Sequence, residues 1–361
     1  MMNGIGDVGD RSSARDENAN RPARTQFSVF SPGRPLGPAL LGTRYFALAV
    51  LFTALTLLGC ASSNPPSARA TSSLAPTPTA GPGGQVPSVG HIFVIVMENR
   101  EYDQVIGSAD APYLNQLANT YGLATRYYAI RHPSLPNYLA LTSGSTHGVT
   151  DDCATCTVNS INLVDQLEAH RKTWAAYMED LPNPCFNGAS AGGPLALIGR
   201  GGYVRRHDPF MYYDNVRESS ERCHRVVSLS QLTDDLANNR VPNFAWITPN
   251  LQHDMHSSDT RAGDDWLASF VPTILGSSAW KDGGVLFITW DEGTTDAGCC
   301  DVAAGGHVPT LVIAANGKRG YRSGVPYNHY SLLRTIEDLW GLDHLGHAAD
   351  PATKPMSDFF R

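Results

Sequence analysis

The chain has 361 residues, 42% hydrophobic and 17% charged, which is enough to bury a sizeable core and unlike collagen-like, coiled-coil or wholly disordered sequences. Its net charge of −7 gives no basic footprint for nucleic acid and speaks against docking on an anionic membrane through charge alone. Gly and Pro crowd into residues 1–90, so the folded part is expected to begin late.

Residues 1–44 are rich in Arg, Ser, Pro, Gly and Asn without periodicity, and an apolar run from Tyr45 to Leu58 follows Arg44. That run is short for a membrane span and ends Leu57-Leu58-Gly59-Cys60, so residues 1–60 read as a lipoprotein-type leader with Cys60 as the lipidated first residue of the mature chain. A signal-anchor helix, or a plain signal peptide with a chance cysteine, is the alternative. Residues 61–90 are Ser, Pro, Ala, Thr and Gly, a composition that suits a disordered tether. The folded domain is expected over residues 91–361, exported and either held at the cell membrane by its lipid or secreted.

Within that domain His91–Met97, Asn243–Thr248, Val285–Trp290 and Val308–Ala314 are short apolar runs rich in β-branched residues and read as buried strands. Helical spacing marks Leu114, Leu117, Ala118 and Tyr121; a longer stretch through Val164, Leu167, Trp174 and Tyr177; then Trp266, Phe270 and Ile274; and finally Leu332, Leu333, Ile336 and Leu339. The alternation predicts an α/β fold with a mostly parallel central sheet and helices on both faces. Apart from Cys60 there are six cysteines, Cys153, Cys156, Cys185, Cys223, Cys299 and Cys300, an even number that favours disulfides in an exported chain over a zinc site or free thiols. A local Cys153–Cys156 bridge and a Cys185–Cys223 bridge around the segment carrying His207 are the favoured pairings, with Cys299 and Cys300 able to close on each other.

In such a sheet the carboxyl ends of parallel strands share one edge, and polar residues just past them converge. The first strand ends at Glu98-Asn99, the third at Asp291-Glu292, and the second runs on to Asp254-Met255-His256. Glu98, Asn99, Asp291 and Glu292 offer four oxygen donors, the ligand type of a hard or borderline divalent cation. Ser134, in Arg131-His132-Pro133-Ser134-Leu135-Pro136-Asn137-Tyr138, is placed just before a helix whose amino-terminal amides favour phosphate and an alkoxide. By itself such a serine also reads as a simple helix cap. Among the histidines the pattern favours His256 over His207, His307 and His329.

These residues resemble a known family, the bacterial phosphoesterases that include acid phosphatases and phospholipases C, a branch of the alkaline-phosphatase-like fold. The carriers are Glu98-Asn99-Arg100, His132-Pro133-Ser134-x-Pro136-Asn137-Tyr138, Asp180-Leu181-Pro182, Arg206-His207-x-Pro209, Asp254-Met255-His256, Gly263-Asp264-x-Trp266-Leu267 and Thr289-Trp290-Asp291-Glu292. The resemblance implies metal ligation by Glu98, Asn99, Asp291 and Glu292 together with the Ser134 oxygen, a nucleophile at Ser134 and phosphate-facing imidazoles at His207 and His256. It departs at Arg100-Glu101, at His253 and at Cys299-Cys300. The expected activity is that of a hydrolase cleaving phosphate monoesters, phosphoinositides included, with one divalent cation of unknown identity and a phosphoserine intermediate. Asn137 and Asp254 are expected to face the substrate, a small phosphate ester or phospholipid headgroup. A phosphodiesterase or phospholipase C using the same centre is the alternative, and a non-enzymatic surface lipoprotein is the second.

Overall fold

The computed structural model describes residues 89–192 and 202–361. The leader, the lipidation motif at Cys60 and nearly all of the tether lie outside them. Eight strands form the main sheet: β1 (Ile92–Met97), β2 (Gly122–Ala124), β3 (Trp174–Met178), β4 (Val226–Ser228), β5 (Phe244–Thr248), β6 (Val285–Trp290), β7 (Thr310–Ala314) and β8 (Tyr321–Ser323). Their order across the sheet is β8-β2-β7-β6-β1-β5-β3-β4, and β7 alone runs against its neighbours. All six residues of β1 are buried, as are all six of β6, which is why both read as unbroken apolar runs rather than alternating ones.

The principal helices are α1 (Pro112–Thr120), α2 (Ser134–Ser143), α3 (Leu163–Ala169), α4 (Ser230–Ala237), α5 (Thr260–Gly276) and α6 (His329–Trp340). α1 and α4 pack with α5, while α2 packs on α6, giving two helical layers about the sheet. The ends of these helices are chemically marked. Asn328 caps α6 through the Ser331 amide, and Gly341 closes it in a left-handed turn with φ 65°. Gly144 ends α2 in the same way at φ 71°, and a Cβ there would run into the Leu345 carbonyl. Large side chains from the strands, Trp174, Trp246, Trp290, Phe93 and Phe244, fill the core. Among the described residues no helix is long and apolar enough to cross a membrane.

The expected helix through Val164 and Tyr177 is two elements. It stops at Ala169, Arg171 takes a positive φ of 56°, and Trp174–Met178 then forms a strand parallel to β5 and β4. Trp174 and Tyr177 are three apart, which imitates helical spacing, but pairing on both sides overrides it. The three-residue strands β2, β4 and β8 are too short to show a period.

Candidate active site

The order β6-β1-β5 sets three strand ends side by side. Glu98 follows β1, Asp291 and Glu292 follow β6, and the loop after β5 delivers Asp254 and His256. The Glu98 amide donates to the Asp254 carbonyl (2.8 Å) and the Asp291 amide to the Met97 carbonyl (3.0 Å), so backbone bonds lock the three ends together.

α2 brings the serine. Pro133 precedes it, and Ser134 is the first helical residue rather than the one before the helix. Its Oγ donates to Glu98 Oε2 at 3.1 Å and lies 3.4 Å from Glu292 Oε1. The expected supply of free amides at this helix start is thin. Pro133 and Pro136 have none, and the Leu135 amide donates to Asp152 Oδ1 at 3.0 Å. One turn on, the Tyr138 hydroxyl donates to Glu98 Oε1.

Four carboxyl groups, Glu98, Asp254, Asp291 and Glu292, are buried at this edge. Burial, then the neighbouring acids Asp291 and Asp254, hold Glu98 well above its usual range. Burial and Glu292 do the same to Asp291, and burial followed by Asp152 pushes Glu292 up to about 8. Asp291 Oδ2 has no hydrogen-bond partner. The side-chain amide of Asn99 has one atom 3.1 Å from Glu98 Oε2 and 3.3 Å from Asp291 Oδ1. With its NH₂ turned there it donates to both carboxylates; with its oxygen turned there, three oxygens face one another. Crowded, buried, mutually repelling carboxyls with an amide oxygen able to join them are what a hard divalent cation neutralises, so the donor set fits one.

His207 lies between two of these acids, Nε2 3.2 Å from Glu98 Oε1 and Nδ1 3.3 Å from Asp254 Oδ2, although neither contact is aligned as a hydrogen bond. Atoms of Glu98, His207 and Asp254 all lie within 4.8 Å of one another, so this trio is the tightest set of acidic and imidazole donors at the edge. His207 stacks on the Tyr138 ring (centroids 5.4 Å, 12°) and is 2% exposed; burial, then Arg206 and His256, holds its pKa well below the usual value. His256, half-buried at the rim, has Nε2 3.3 Å from Arg206 Nη2, and burial followed by Arg206 lowers it to about 4. The pattern's preference for His256 and the resemblance's choice of His207 both fall in the site, the ring centroids 5.8 Å apart.

Asn137 does not face the site. Its Oδ1 accepts from the Ile130 and Arg131 amides (2.9 and 3.1 Å) and its Nδ2 donates to the Arg131 and Pro133 carbonyls (2.6 and 3.2 Å), so it is spent on holding the loop that carries Ser134. Asp254 is fully buried, accepts from the His256 amide (2.7 Å) and has Oδ2 3.3 Å from His207 Nδ1; Met255, next in the loop, has a positive φ of 82°. Asn137 is taken up by its own loop, whereas Asp254 Oδ2 has no hydrogen-bond partner and lies with Glu98 and His207 in the site.

Other contributors were not singled out as site residues from the sequence, apart from His329, which the pattern ranks below His256. His132 Nδ1 is 2.6 Å from Glu292 Oε2, Arg206 Nε is 3.5 Å from Asp152 Oδ2, and His329 Nε2 reaches the Asp291 carbonyl at 2.5 Å. His132 and Tyr138 stand two before and four after Ser134, and Arg206 adjoins His207; adjacency to the named residues was the available signal. His307 is sandwiched between Tyr102 and Tyr128 outside the acidic cluster. The cysteines pair as Cys153–Cys156, Cys185–Cys223 and Cys299–Cys300.

Residues 108–343 fit the model of the phosphoesterase family, and the chain belongs to it. Glu98 and Asn99 stand before the matched segment. The chain is 30% identical to an Aspergillus fumigatus acid phosphatase over 70% of its own length and 55% of that protein's, so it spans little more than half of that relative. It is 29% identical to the Mycobacterium tuberculosis phosphatidylinositol-3-phosphatase over 76% of its length and 84% of that chain. A Bacteroides thetaiotaomicron structure described for glycosaminoglycan metabolism superposes with a TM-score of 0.52 at 11% identity, covering 75% of this chain and 82% of that one, a likeness of fold alone.

Proposed function

We propose that the chain is an exported, metal-dependent phosphomonoesterase that works through a phosphoserine at Ser134. The observation that carries the reading is the position of Ser134 Oγ, the first residue of α2, between the carboxylates of Glu98 and Glu292 at 3.1 and 3.4 Å. Glu98, Asn99, Asp291 and Glu292, with the Ser134 oxygen, would hold one divalent cation. Bound there, it would supply neutralising charge for phosphoryl oxygens and favour the ionised serine.

In this reading Ser134 attacks phosphorus and its proton passes to an adjacent carboxylate. The ester oxygen leaves with that proton, returned from the carboxylate, while His256, kept neutral by a pKa lowered to about 4, is proposed to donate an N–H hydrogen bond to it. Negative charge spreading over the phosphoryl oxygens is met by Arg206 and the imidazole N–H groups, so positioning and electrostatics do most of the work. Water then attacks the phosphoserine, one of its protons passing by the same carboxylate to the Ser134 oxygen as inorganic phosphate is released. Asn137 holds the loop ahead of Ser134, and Asp254 orients His207.

The names of the relatives support a monoester substrate, and that of the Mycobacterium tuberculosis protein makes a phosphoinositide headgroup a candidate. Lipidation at Cys60 would keep the enzyme at the membrane where such headgroups lie. The test is a panel of monoesters, diesters and lipids assayed with defined cations. Faster turnover of bis-nitrophenyl phosphate or a choline lipid than of nitrophenyl phosphate would replace the monoesterase reading with a phosphodiesterase one.

A further inference from the structure

We infer that Glu101 is a positioning residue: its carboxylate clasps the loop behind Glu292 to the loop behind Glu98 and thereby sets the affinity of the proposed cation site. The inference rests on the cation reading above.

Glu101 Oε1 accepts from the Thr294 amide (2.8 Å), the Thr295 amide (2.9 Å) and the Thr295 hydroxyl (2.9 Å), and Oε2 accepts from the His307 amide (3.1 Å). Among the described residues no Lys or Arg is paired with it, so its charge is balanced by the N–H and O–H dipoles of two other segments. Carboxylates bound in this way make strong, short-range links. The surroundings are shaped to admit it. A Cβ at Gly293 would run into Glu101 Oε1, and one at Gly306 would come within 2.8 Å of the same atom. Backbone bonds follow the same seam, from the Tyr102 amide to the His307 carbonyl (2.7 Å) and from the Gly293 amide to the Gly305 carbonyl (2.7 Å).

From this clasp two paths reach Glu292. One is the chain itself, since Thr294 stands two residues past Glu292. The other runs through the serine loop: the Thr295 carbonyl lies 3.0 Å from His132 Nε2, and His132 Nδ1 lies 2.6 Å from Glu292 Oε2. On the other side Glu101 is two residues past Asn99, whose positive φ of 44° aims the chain out of β1. One carboxylate therefore joins the strand end bearing Glu98 and Asn99, the strand end bearing Asp291 and Glu292, and the loop bearing Ser134. Partners that orient metal ligands commonly change affinity 10- to 100-fold when removed, by roughly that factor.

The test is direct titration of the full chain with Mn²⁺ by calorimetry, without turnover, for wild type, Glu101→Ala, Glu101→Gln and the exposed neighbour Asp103→Asn. Glu101→Ala is expected to weaken Mn²⁺ by about 10-fold or more while circular dichroism is unchanged, in line with the effect of such partners. Glu101→Gln, which keeps an acceptor for Thr294 and Thr295 but sets an NH₂ against the His307 amide, should fall between it and wild type, and Asp103→Asn should match wild type. If Glu101→Ala does not fold, Glu101→Gln carries the test, and a weakening of about threefold supports the clasp. Unchanged affinity in a folded Glu101 variant, or equal weakening by Asp103→Asn, overturns it. Wild type that binds no Mn²⁺ would overturn the cation reading and this inference with it, so the two failures are told apart.

Discussion

Tyr138 serves Glu98 and His207 at once: its hydroxyl donates to Glu98 Oε1 while its ring stacks on the imidazole 5.4 Å away. Four residues after Ser134 on α2, it ties the orientation of an acid and a base to the helix that carries the serine. Tyr138→Phe keeps the stack and removes the donor. Glu98 then loses one of its partners, and turnover is expected to fall about 10-fold with a stability loss of roughly 1–3 kcal/mol, the cost of a hydrogen bond to a buried charged group. Unchanged kcat would show that the hydroxyl is dispensable.

Ser134→Ala should abolish phosphatase activity. The hydroxyl makes no cap bond within α2 but donates to the buried Glu98, so the variant should fold with a stability loss of roughly 1–3 kcal/mol. Turnover above a tenth of wild type would remove Ser134 as nucleophile.

Chelation followed by dialysis should inactivate the enzyme, and added divalent cation should restore it. Asp291→Asn, which removes a buried charge from the proposed ligand set, should raise the cation concentration needed for half-maximal activity by about tenfold or more. Full activity after exhaustive chelation, with no metal by elemental analysis, would contradict the metal reading.

Cys223→Ser opens the Cys185–Cys223 bridge, whose sequence separation of 38 encloses the segment carrying Arg206 and His207. Loop-closure entropy puts its worth at roughly 3–4 kcal/mol. Mild reduction should lower activity at temperatures where the circular dichroism of the sheet persists, because the bridge restrains His207 more directly than it restrains β1 or β6. Peptide mapping without reductant that joins Cys185 to another cysteine would reject this account.

Glu337, fully buried in α6, has Oε1 accepting from the Leu345 amide at 2.9 Å and Oε2 without a partner; burial pushes its pKa up to about 8. The folded state therefore holds a proton that the unfolded chain releases near its ordinary value, and stability falls as pH rises from about 4.5 to about 8. The full loss is on the order of 5 kcal/mol at about 1.4 kcal/mol per pH unit. Glu337→Gln keeps the acceptor and should flatten that slope in urea titrations at successive pH values. An unchanged slope would mean that other groups set it.

The amino-acid sequence by itself determined the strands β1, β5, β6 and β7 and the acids that follow β1, β5 and β6, because a strand buried on both faces needs an unbroken apolar run and the polar residues that follow mark its exit. It also supplied Ser134 and both imidazoles, whose neighbours are close in the chain. Tertiary structure decided the rest. The strand character of Trp174–Met178 comes from the pairing of β3 with β5 and β4, which no local spacing encodes. The adjacency of Glu98 to Asp291 follows from the order β6-β1-β5, set by hydrogen bonds between segments almost two hundred residues apart. Which way a polar side chain points depended on which backbone groups lacked partners nearby. Asn137 was drawn to the amides and carbonyls of its own loop and Glu101 to the amides of Thr294, Thr295 and His307, because a polar group goes where its hydrogen bonds are met, whereas Asp254 Oδ2 faces His207 without one.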